Sequence, residues 1–345
     1  MAGRFLVTGG AGFIGMHCAQ ALLAQRGFFD QFVGAALRAR GDSCVVFDDL
    51  STGHRAAVPA DVRLIQADLA DAAAVDAAVA DGPWDGGFHF AALSLVGDSM
   101  RDPCRYLAAN VGNGLRLIDA CVRHGVRHFV LSSTAALFGE AGAGPIDETA
   151  PIAPGSPYGE SKWMLERALL WAGRIHGLRS AVLRYFNAAG ADPEGRLGED
   201  HRPETHLIPL AIDAALGRRP PLSVFGTDYP TPDGTCIRDY VHVTDLADAH
   251  LRALARLEQG SVTYNLGSAT GHSVLEVIGA VARVSGREVP WQAASRRPGD
   301  PAMLVAASGL IRRETGWAPR LARLDDIVAT AWQWRMAHPD GYGAA

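Results

Sequence analysis

The amino-acid sequence predicts an α/β protein whose main part is a doubly wound parallel sheet. In the first half of the chain, short apolar runs of strand length alternate with alanine- and leucine-rich segments of helical periodicity. A glycine-rich turn directly follows the first apolar run. After about Asn187 the chain changes to proline- and glycine-rich loops with shorter elements. Alternating strands and helices form a parallel sheet covered by helices, and the later change indicates a smaller second domain.

The individual elements can be placed in order along the chain. Buried strands are predicted at residues 4–8, 44–47, 63–65, 87–90 and 128–131. Helices are predicted between them, most clearly at residues 72–79 and 113–123. Because these strands are apolar on both faces, they are expected to lie between two layers of helices.

Composition and charge limit the classes of function. Hydrophobic residues make up 48% and charged residues 20% of the 345 residues, as in ordinary soluble globular proteins. The formal net charge of −5 predicts neither nucleic acid nor an anionic membrane as a partner. No apolar stretch reaches the roughly 18 residues of a membrane span, and the first strand begins too early for a signal peptide. We therefore expect a cytoplasmic protein.

The cysteine and histidine patterns predict no metal site. The five cysteines are scattered along the chain and include no Cys-x-x-Cys pair, which argues against a disulfide framework and against structural zinc. No other group of histidine, cysteine and carboxylate residues has a spacing typical of metal ligands.

A Gly-x-Gly-x-x-Gly motif, formed by Gly10, Gly12 and Gly15, follows the first strand and opens a helix. Glycines at these positions allow a tight turn and let a pyrophosphate approach the backbone at the helix N-terminus. The second strand ends in Asp48 and Asp49, where a carboxylate accepts hydrogen bonds from the adenosine ribose and repels a 2′-phosphate. The sequence therefore predicts a Rossmann-type domain that binds NAD rather than NADP.

The distance between these two motifs is unusually long. Asp48 lies 33 residues after Gly15, where about 20 or fewer is usual. The surplus falls at residues 25–40 and includes three phenylalanines. We interpret it as an insertion, either an elongated loop or a contact surface for a partner subunit.

Tyr158 and Lys162 form a candidate catalytic pair. Lys162 is the only lysine among 32 basic residues, the others being arginine. A guanidinium cannot replace a compact ammonium that must lie under a phenol and also reach a sugar hydroxyl. Positions i and i+4 share one face of a helix, so the two side chains are expected to point into one cleft. The alternative is a chance spacing without function.

These motifs carry a family resemblance. Residues 8–15 and the Tyr158/Lys162 pair are similar to those of the extended short-chain dehydrogenases/reductases. More narrowly, the chain resembles the UDP-glucose (UDP-galactose) 4-epimerases from about residue 4 to residue 342. The matching segments are residues 48–53, 89–92, 132–134, 184–187, 225–230, 238–242, 297–300 and 332–342.

The resemblance implies a UDP-sugar substrate and a tightly bound NAD that is regenerated in each turnover. It implies a catalytic triplet of Thr134, Tyr158 and Lys162. The residues implied to bind NAD are Gly10, Gly12, Phe13, Ile14, Gly15, Asp48, Asp49, Asp68, Leu69, Phe90, Ala91, Asn110, Ser132, Tyr158, Lys162 and Tyr185. Those implied to bind the UDP-sugar are Thr134, Tyr158, Asn187, His206, Leu207, Phe225, Arg238, Arg297 and Asp300. The NAD-binding domain would comprise residues 1–186 and 236–265, and the UDP-sugar-binding domain residues 187–235 and 266–345.

Two positions depart from the family pattern. Ser94 stands where many relatives have a lysine near the cofactor, a change expected to loosen NAD retention. His206 replaces a frequent asparagine at the pyrophosphate or sugar end of the substrate site. Mechanistically, we expect Lys162 and the positive nicotinamide ring to lower the pKa of Tyr158, so that the phenol can act as a base.

Three alternatives share parts of this pattern. A nucleotide-sugar dehydratase would need carboxyl residues just after Thr134, where Ala135 and Ala136 stand, so this alternative is disfavoured. A UDP-pentose (xylose/arabinose) 4-epimerase would differ only around the sugar C6. A non-catalytic nucleotide-sensing scaffold would have no need of the intact catalytic triplet.

Two finer expectations depend on the resemblance alone. Leu304 matches a position whose bulk decides in this family whether N-acetylated sugars enter, and leucine favours non-acetylated sugars. A homodimer is implied, formed through helices at residues 104–124 and 158–176.

Overall fold

The main sheet of the protein has seven parallel strands. The computed structural model describes residues 3–23, 42–139, 144–297 and 300–343. The strands are β1 (Arg4–Thr8), β2 (Ser43–Asp48), β3 (Arg63–Gln66), β4 (Gly86–His89), β5 (His128–Thr134), β6 (Arg179–Tyr185) and β10 (Val262–Leu266). Their order across the sheet is β10-β6-β5-β4-β1-β2-β3. The order reverses between β1 and β4, as in doubly wound sheets, so the predicted fold class is confirmed.

Helices cover both faces of this sheet. They are α1 (Phe13–Leu23), α2 (Ala72–Ala80), α3 (Val96–Arg101), α4 (Pro103–Tyr106), α5 (Asn113–Arg123), α6 (Pro157–His176) and α8 (Val243–Arg256). Successive side chains of a strand point to opposite faces, and β1 follows this rule. Phe5 and Val7 lie in one apolar core, and Leu6 lies in the other. The sheet therefore has a buried core on each side.

The remaining elements form smaller sheets and a third core. They are β7 (Asn187–Ala189), α7 (Leu207–Ala215), β8 (Leu222–Phe225), β9 (Ile237–His242), β11 (Gly271–Ser273), α9 (Val274–Ser285), β12 (Trp291–Ala294), β13 (Met303–Leu304), α10 (Gly309–Thr315) and α11 (Leu324–Ala337). Strand β9 pairs with β7, β11 and β13, while β8 pairs with β12. Thus β9 belongs to a smaller sheet, whereas β10 completes the main one. The predicted domain boundaries themselves stay a prediction.

Two further predictions from the sequence concern an insertion and membrane-spanning helices. The insertion at residues 25–40 lies outside the described residues. Within the described part of the chain, no helix is long and apolar enough to cross a membrane.

Candidate active site

At Gly9 and Gly15 the glycine-rich turn packs too closely against its neighbours for a side chain. A Cβ atom on Gly9, whose φ is +71°, would lie 2.4 Å from the Ala91 amide nitrogen, and one on Gly15 would lie 2.1 Å from the Gly9 oxygen. A Cβ on Gly12, by contrast, would meet only the Gly9 oxygen at 3.4 Å, so this side of the turn is open. Helix α1 begins immediately afterwards, at Phe13. The turn and helix N-terminus thus form a cradle that fits a pyrophosphate.

Asp48, at the end of β2, fixes the shape of this cradle. Its carboxylate accepts hydrogen bonds from the Ala11 amide at 3.0 Å and from the Leu50 amide at 2.8 Å. Burial raises the pKa of Asp48, while the two amides act in the opposite direction. Each carboxylate oxygen can accept more than one hydrogen bond, so the Asp48 carboxylate can still accept hydrogen bonds from ribose hydroxyls. Its neighbour Asp49 is exposed and accepts a hydrogen bond from the Ser51 amide at 2.8 Å.

Further residues predicted to bind NAD lie just beyond the carboxyl ends of neighbouring strands. The amides of Phe90 and Ala91 both donate to the Thr8 oxygen, at 2.9 and 3.2 Å, directly after β4. Asp68 and Leu69 follow β3, where the Leu69 side chain is buried. This is the edge of a doubly wound sheet at which ligands bind.

Thr134 and Tyr158 meet at the same edge. Strand β5 ends at Thr134, and α6 begins one residue before Tyr158. The Thr134 side chain interacts with the Tyr158 phenol and acts to lower its pKa. The Thr134 oxygen also accepts a hydrogen bond from the Ala136 amide at 3.1 Å, so its own proton is available for a further acceptor. Ala135 and Ala136 provide no carboxyl group here, as the sequence indicates.

Lys162 lies four residues further along α6 and is almost completely buried. Its ammonium donates to the Ser132 carbonyl oxygen at 2.8 Å, which leaves two of its three donors for other partners. Burial lowers the pKa of Lys162 to about 8, and the nearby Glu166 charge opposes this change.

One prediction about Tyr158 concerns the cofactor-bound protein, in which Lys162 and the positive nicotinamide ring together are expected to lower the pKa of the phenol. In the structure, burial raises this pKa to about 12, and the interaction with Thr134 offsets only part of this effect. The Lys162 ammonium donates to the Ser132 carbonyl oxygen. Additional positive charge near the phenol is therefore needed before it becomes a base at neutral pH. The prediction for the cofactor-bound protein stays a prediction.

Burial of Lys162 should make the stability of the nucleotide-free protein depend on pH. Its pKa falls from 10.5 to about 8 on folding. Between these values the unfolded chain binds more protons, so stability rises with pH. We expect the wild type to gain up to about 3 kcal/mol relative to Lys162→Met between pH 8 and pH 10, because one pKa unit corresponds to about 1.4 kcal/mol. Urea unfolding at several pH values measures this difference, and a constant difference would contradict the burial of the charge.

A buried ion pair fixes helix α6 one turn beyond Lys162. Glu166, one turn after Lys162, accepts hydrogen bonds from the Arg184 guanidinium at 2.6 and 3.0 Å and from the Ser133 hydroxyl at 2.6 Å. The side chains of Glu166 and Arg184 are only 5% and 6% exposed. Sequence reasoning missed this group. The available signal was the second i+4 step on one helix face, from Lys162 to Glu166.

Three other residues predicted to bind the cofactor are hydrogen-bonded within the protein. The Asn110 amide group bridges the Leu93 backbone, at 2.9 Å to both its nitrogen and its oxygen, and the Ser161 hydroxyl at 3.0 Å. The hydroxyls of Ser132 and Tyr185 are hydrogen-bonded to each other. These contacts hold the ends of β5 and β6 and the start of α6 in place.

The predicted substrate residues divide into paired and unpaired groups. Asp300 forms an ion pair with Arg238, at 3.0 Å. The Arg297 guanidinium lies over the Phe225 ring, 4.1 Å from its centroid. Among the residues that the structure describes, no carboxylate pairs with Arg297, so its donors remain available for an anion. Asn187 is the first residue of β7.

His206 lies in a compact group of charged side chains before α7, which begins at Leu207. Its Nδ1 atom is 2.7 Å from a Glu199 oxygen and 3.4 Å from a Glu204 oxygen. Burial acts to lower the pKa of His206, but the nearby charges of Glu199 and Glu204 raise it to about 10. Its side chain is half exposed, so it is accessible to a ligand. This supports an anion-binding role for His206.

Comparison with known proteins finds relatives along nearly the whole chain. The NAD dependent epimerase/dehydratase family matches residues 5–267. UDP-glucose 4-epimerase of Azospirillum brasilense is 48% identical over 344 residues, which cover 99% of this chain and 94% of that protein. UDP-glucose 4-epimerase from Brucella ovis, in complex with NAD, has a similar structure, with a TM-score of 0.87, 41% identity and coverage of 96% and 98%. The Bifidobacterium longum enzyme, in complex with NAD+ and UDP, gives a TM-score of 0.89 at 33% identity, with coverage of 98% and 99%. The resemblance inferred from the motifs is confirmed.

Proposed function

Because the chain belongs to the NAD dependent epimerase/dehydratase family, we propose that it interconverts UDP-glucose and UDP-galactose by transient oxidation at the sugar C4. The observation that carries this proposal is the juxtaposition of Tyr158 and Thr134, whose side chains interact, with the buried ammonium of Lys162 one turn further along the same helix. These groups lie at the sheet edge that also carries the glycine-rich cradle. The protein is thus an NAD-dependent isomerase whose proton-transfer group and cofactor site share one edge.

Tyr158 removes the proton of the sugar 4-hydroxyl, and the Thr134 hydroxyl holds the same oxygen. When bound, NAD supplies the hydride acceptor for C4 and a positive charge close to the phenol. Because burial raises the pKa of Tyr158 to about 12, the phenolate depends on this charge and on that of Lys162. Lys162 has donors left for the nicotinamide ribose after its bond to Ser132. The protonated phenol then returns its proton to the oxygen when the 4-keto sugar is reduced.

The UDP moiety must remain anchored while the 4-keto sugar turns over and presents its other face. Arg297, with no carboxylate partner in the described part of the chain, is suited to the diphosphate, and the second ring nitrogen of the half-exposed His206 is available to donate to it. Arg238 is oriented by Asp300 and by the Pro301 oxygen, at 2.9 Å. Leu207 begins α7 beside His206, where the helix N-terminus also favours negative charge.

The choice of sugar substrate is argued from the position of Leu304. Leu304 is paired in register with Arg238 and, like Phe186, packs against a small apolar cluster that includes Phe138. This position at the substrate side supports a role in sugar selection, and the size of leucine favours UDP-hexoses without an N-acetyl group. A UDP-pentose remains the alternative substrate, because no described residue distinguishes the sugars at C6.

The direct test is product formation without added cofactor. Purified protein is incubated separately with UDP-galactose, UDP-xylose and UDP-N-acetylglucosamine, and products are followed by NMR. We expect UDP-glucose from UDP-galactose, with little conversion of the other two sugars. Conversion of UDP-xylose alone would move the proposal to the pentose, and no conversion even after NAD is added would contradict an epimerase and favour a nucleotide-binding scaffold.

The proposal also includes a division into two domains and a cytoplasmic location. The predicted division into an NAD-binding part (1–186 and 236–265) and a UDP-sugar-binding part (187–235 and 266–345) is supported by the separate apolar core around α7, α9 and α11. A cytoplasmic location is supported by five free cysteines, four of them buried. Limited proteolysis and cell fractionation test these two statements.

A homodimer is the third extension of the proposal. Met164, Trp171 and Ile175 form an exposed apolar stripe on α6, because steps of seven and four residues bring them to one helix face. Leu115 on α5 is exposed as well, and α5 packs beside α6. The stripe is 42–66% exposed and supports burial against a second copy.

Ile175→Glu should therefore produce a monomer, because burial of a charge without a partner strongly disfavours association. Light scattering coupled to size exclusion measures the mass. Met336→Glu, on α11, is the matched control and should keep the mass of a dimer; the residue is 47% exposed. A dimeric Ile175→Glu variant, or a wild type that is a monomer, would contradict this surface.

A further inference from the structure

Four side chains between β7 and α7 converge on one point. They belong to Glu199, His201, Glu204 and His206, and one ligand atom of each lies within 4.8 Å of all the others. The sequence predicted no metal ligands, because the four residues stand in a short loop whose Glu-x-His-x-x-Glu-x-His spacing matches none of the familiar metal-binding patterns. The proposed chemistry uses only His206 of these four residues and leaves the convergence of the other three unexplained.

The contacts in this group have the distances of hydrogen bonds without their geometry. Glu199 is 6% exposed, and its Oε1 atom has no hydrogen-bond partner among the described residues. Nevertheless it lies 3.3 Å from His201 Nδ1, which is also buried and without a partner in that part of the chain, and 2.7 Å from His206 Nδ1. An orphaned buried carboxylate oxygen is costly, so an additional group between these atoms would remove a substantial penalty.

The distances fit a tetrahedral ion. Ligands at about 2.0–2.1 Å from zinc are separated by about 3.3–3.4 Å along each edge of a tetrahedron. Three of the observed separations are close to this value: His201 Nδ1 lies 3.3 Å from Glu199 Oε1 and 3.6 Å from Glu204 Oε2, and His206 Nδ1 lies 3.4 Å from Glu204 Oε1. The contact between His206 and Glu199, at 2.7 Å, must open by about 0.6 Å to reach it, and Glu204 would bind the ion through one of its two oxygens.

We propose that Glu199, His201, Glu204 and His206 bind one divalent transition-metal ion, with zinc as the best match. Two imidazole nitrogens and two carboxylates suit zinc, whereas magnesium and calcium prefer oxygen ligands alone. Four protein ligands close the coordination sphere, as in structural zinc sites. The ion acts as a clamp and takes no part in the reaction at C4.

The residues around the four ligands indicate which parts of the protein the ion would connect. His201 packs edge-on against Phe13, the first residue of α1, with ring centroids 6.4 Å apart. His206 directly precedes α7, and Glu204 already accepts hydrogen bonds from the amides of Thr205 and His206 at 2.7 and 2.8 Å. The ion would therefore fix the loop between the start of the cofactor-binding helix α1 and the start of α7. With Nδ1 as the ligand atom, the second ring nitrogen of the half-exposed His206 stays free for another partner.

The test measures metal binding and not activity, so its outcome is independent of the proposed function. Tag-free protein, treated with a chelator and dialysed, is titrated with zinc against a chromophoric competitor. We expect one zinc ion per chain with submicromolar affinity and a zinc-dependent rise in Tm. His201→Gln is expected to weaken binding by about 100-fold or more. His176→Gln, an exposed histidine at the end of α6, is the matched control and should bind zinc like the wild type.

Cobalt substitution gives a second measurement that needs no variant. The absorption spectrum of the cobalt-loaded wild type should have the intense visible bands of a tetrahedral site, and zinc should displace them in a one-to-one titration. If His201→Gln fails to fold, this spectrum decides. Absence of stoichiometric binding in the wild type, or equal affinities of the His201→Gln and His176→Gln proteins, would overturn the proposal and leave a purely ionic cluster.

Discussion

Replacement of Tyr158 by phenylalanine is expected to lower kcat by about 10²–10⁴-fold, the usual contribution of a positioned acid–base group. The substitution removes the phenolic hydroxyl that interacts with the Thr134 side chain and keeps the aromatic ring. UDP affinity should stay nearly unchanged, because the residues proposed to hold UDP lie elsewhere, on the loops that carry Arg297 and His206. Initial rates with UDP-galactose and calorimetric titration with UDP measure the two quantities separately.

The matched control is Tyr264→Phe. It also removes a phenolic hydroxyl from a buried tyrosine, here one that donates to Glu314 at 2.6 Å, away from the proposed site. We expect this variant to keep the wild-type kcat even if its stability decreases. A Tyr158→Phe enzyme as fast as the wild type would refute the assignment of the base, and equal losses in both variants would point to a general effect of lost hydroxyls.

Replacement of Arg184 by methionine should lower the free energy of unfolding by about 3–5 kcal/mol, the typical cost of leaving a buried charge without its partner. Glu166 would keep only the Ser133 hydroxyl as a side-chain donor among its present partners, and its side chain is 5% exposed. Denaturant unfolding monitored by circular dichroism provides the free energy.

A double-mutant cycle separates the ion pair from general packing effects. Glu166→Gln removes the charge that Arg184→Met leaves behind, so the double variant should be more stable than the sum of the two single losses predicts. Arg123→Met serves as the exposed control, because its pairs with Asp76 and Asp119 lie at the surface and should contribute little to stability. Strict additivity of the cycle would contradict a buried, mutually dependent pair.

The elements that the sequence predicts well are those with local and repeated signals. Strand β1 and helix α5 have the predicted bounds, because a buried apolar run and a regular helical period need no information from distant residues. Thr134 lies at the end of β5, as expected, although the strand extends three residues beyond the predicted end at Leu131. In parallel sheets the ligand edge follows from strand direction alone, so the position of the site could also be predicted.

The features that the sequence did not reveal depend on contacts between distant residues. The pKa of Tyr158 is governed by burial, which results from the packing of β5, β6 and α6 and has no signature in a Tyr-x-x-x-Lys spacing. Likewise, Asp300 is three residues from Arg297 but pairs with Arg238, because β9 and the segment before β13 are adjacent in space.

The most direct test of the central claim follows deuterium at the sugar C4. UDP-galactose labelled with deuterium at C4 is incubated with the enzyme in ordinary water, and the UDP-glucose formed is examined by NMR and mass spectrometry. If the hydride leaves C4 and returns to the same carbon within one active site, the product retains the label in full. Loss of deuterium to solvent, or no conversion of UDP-galactose with NAD present, would contradict the account.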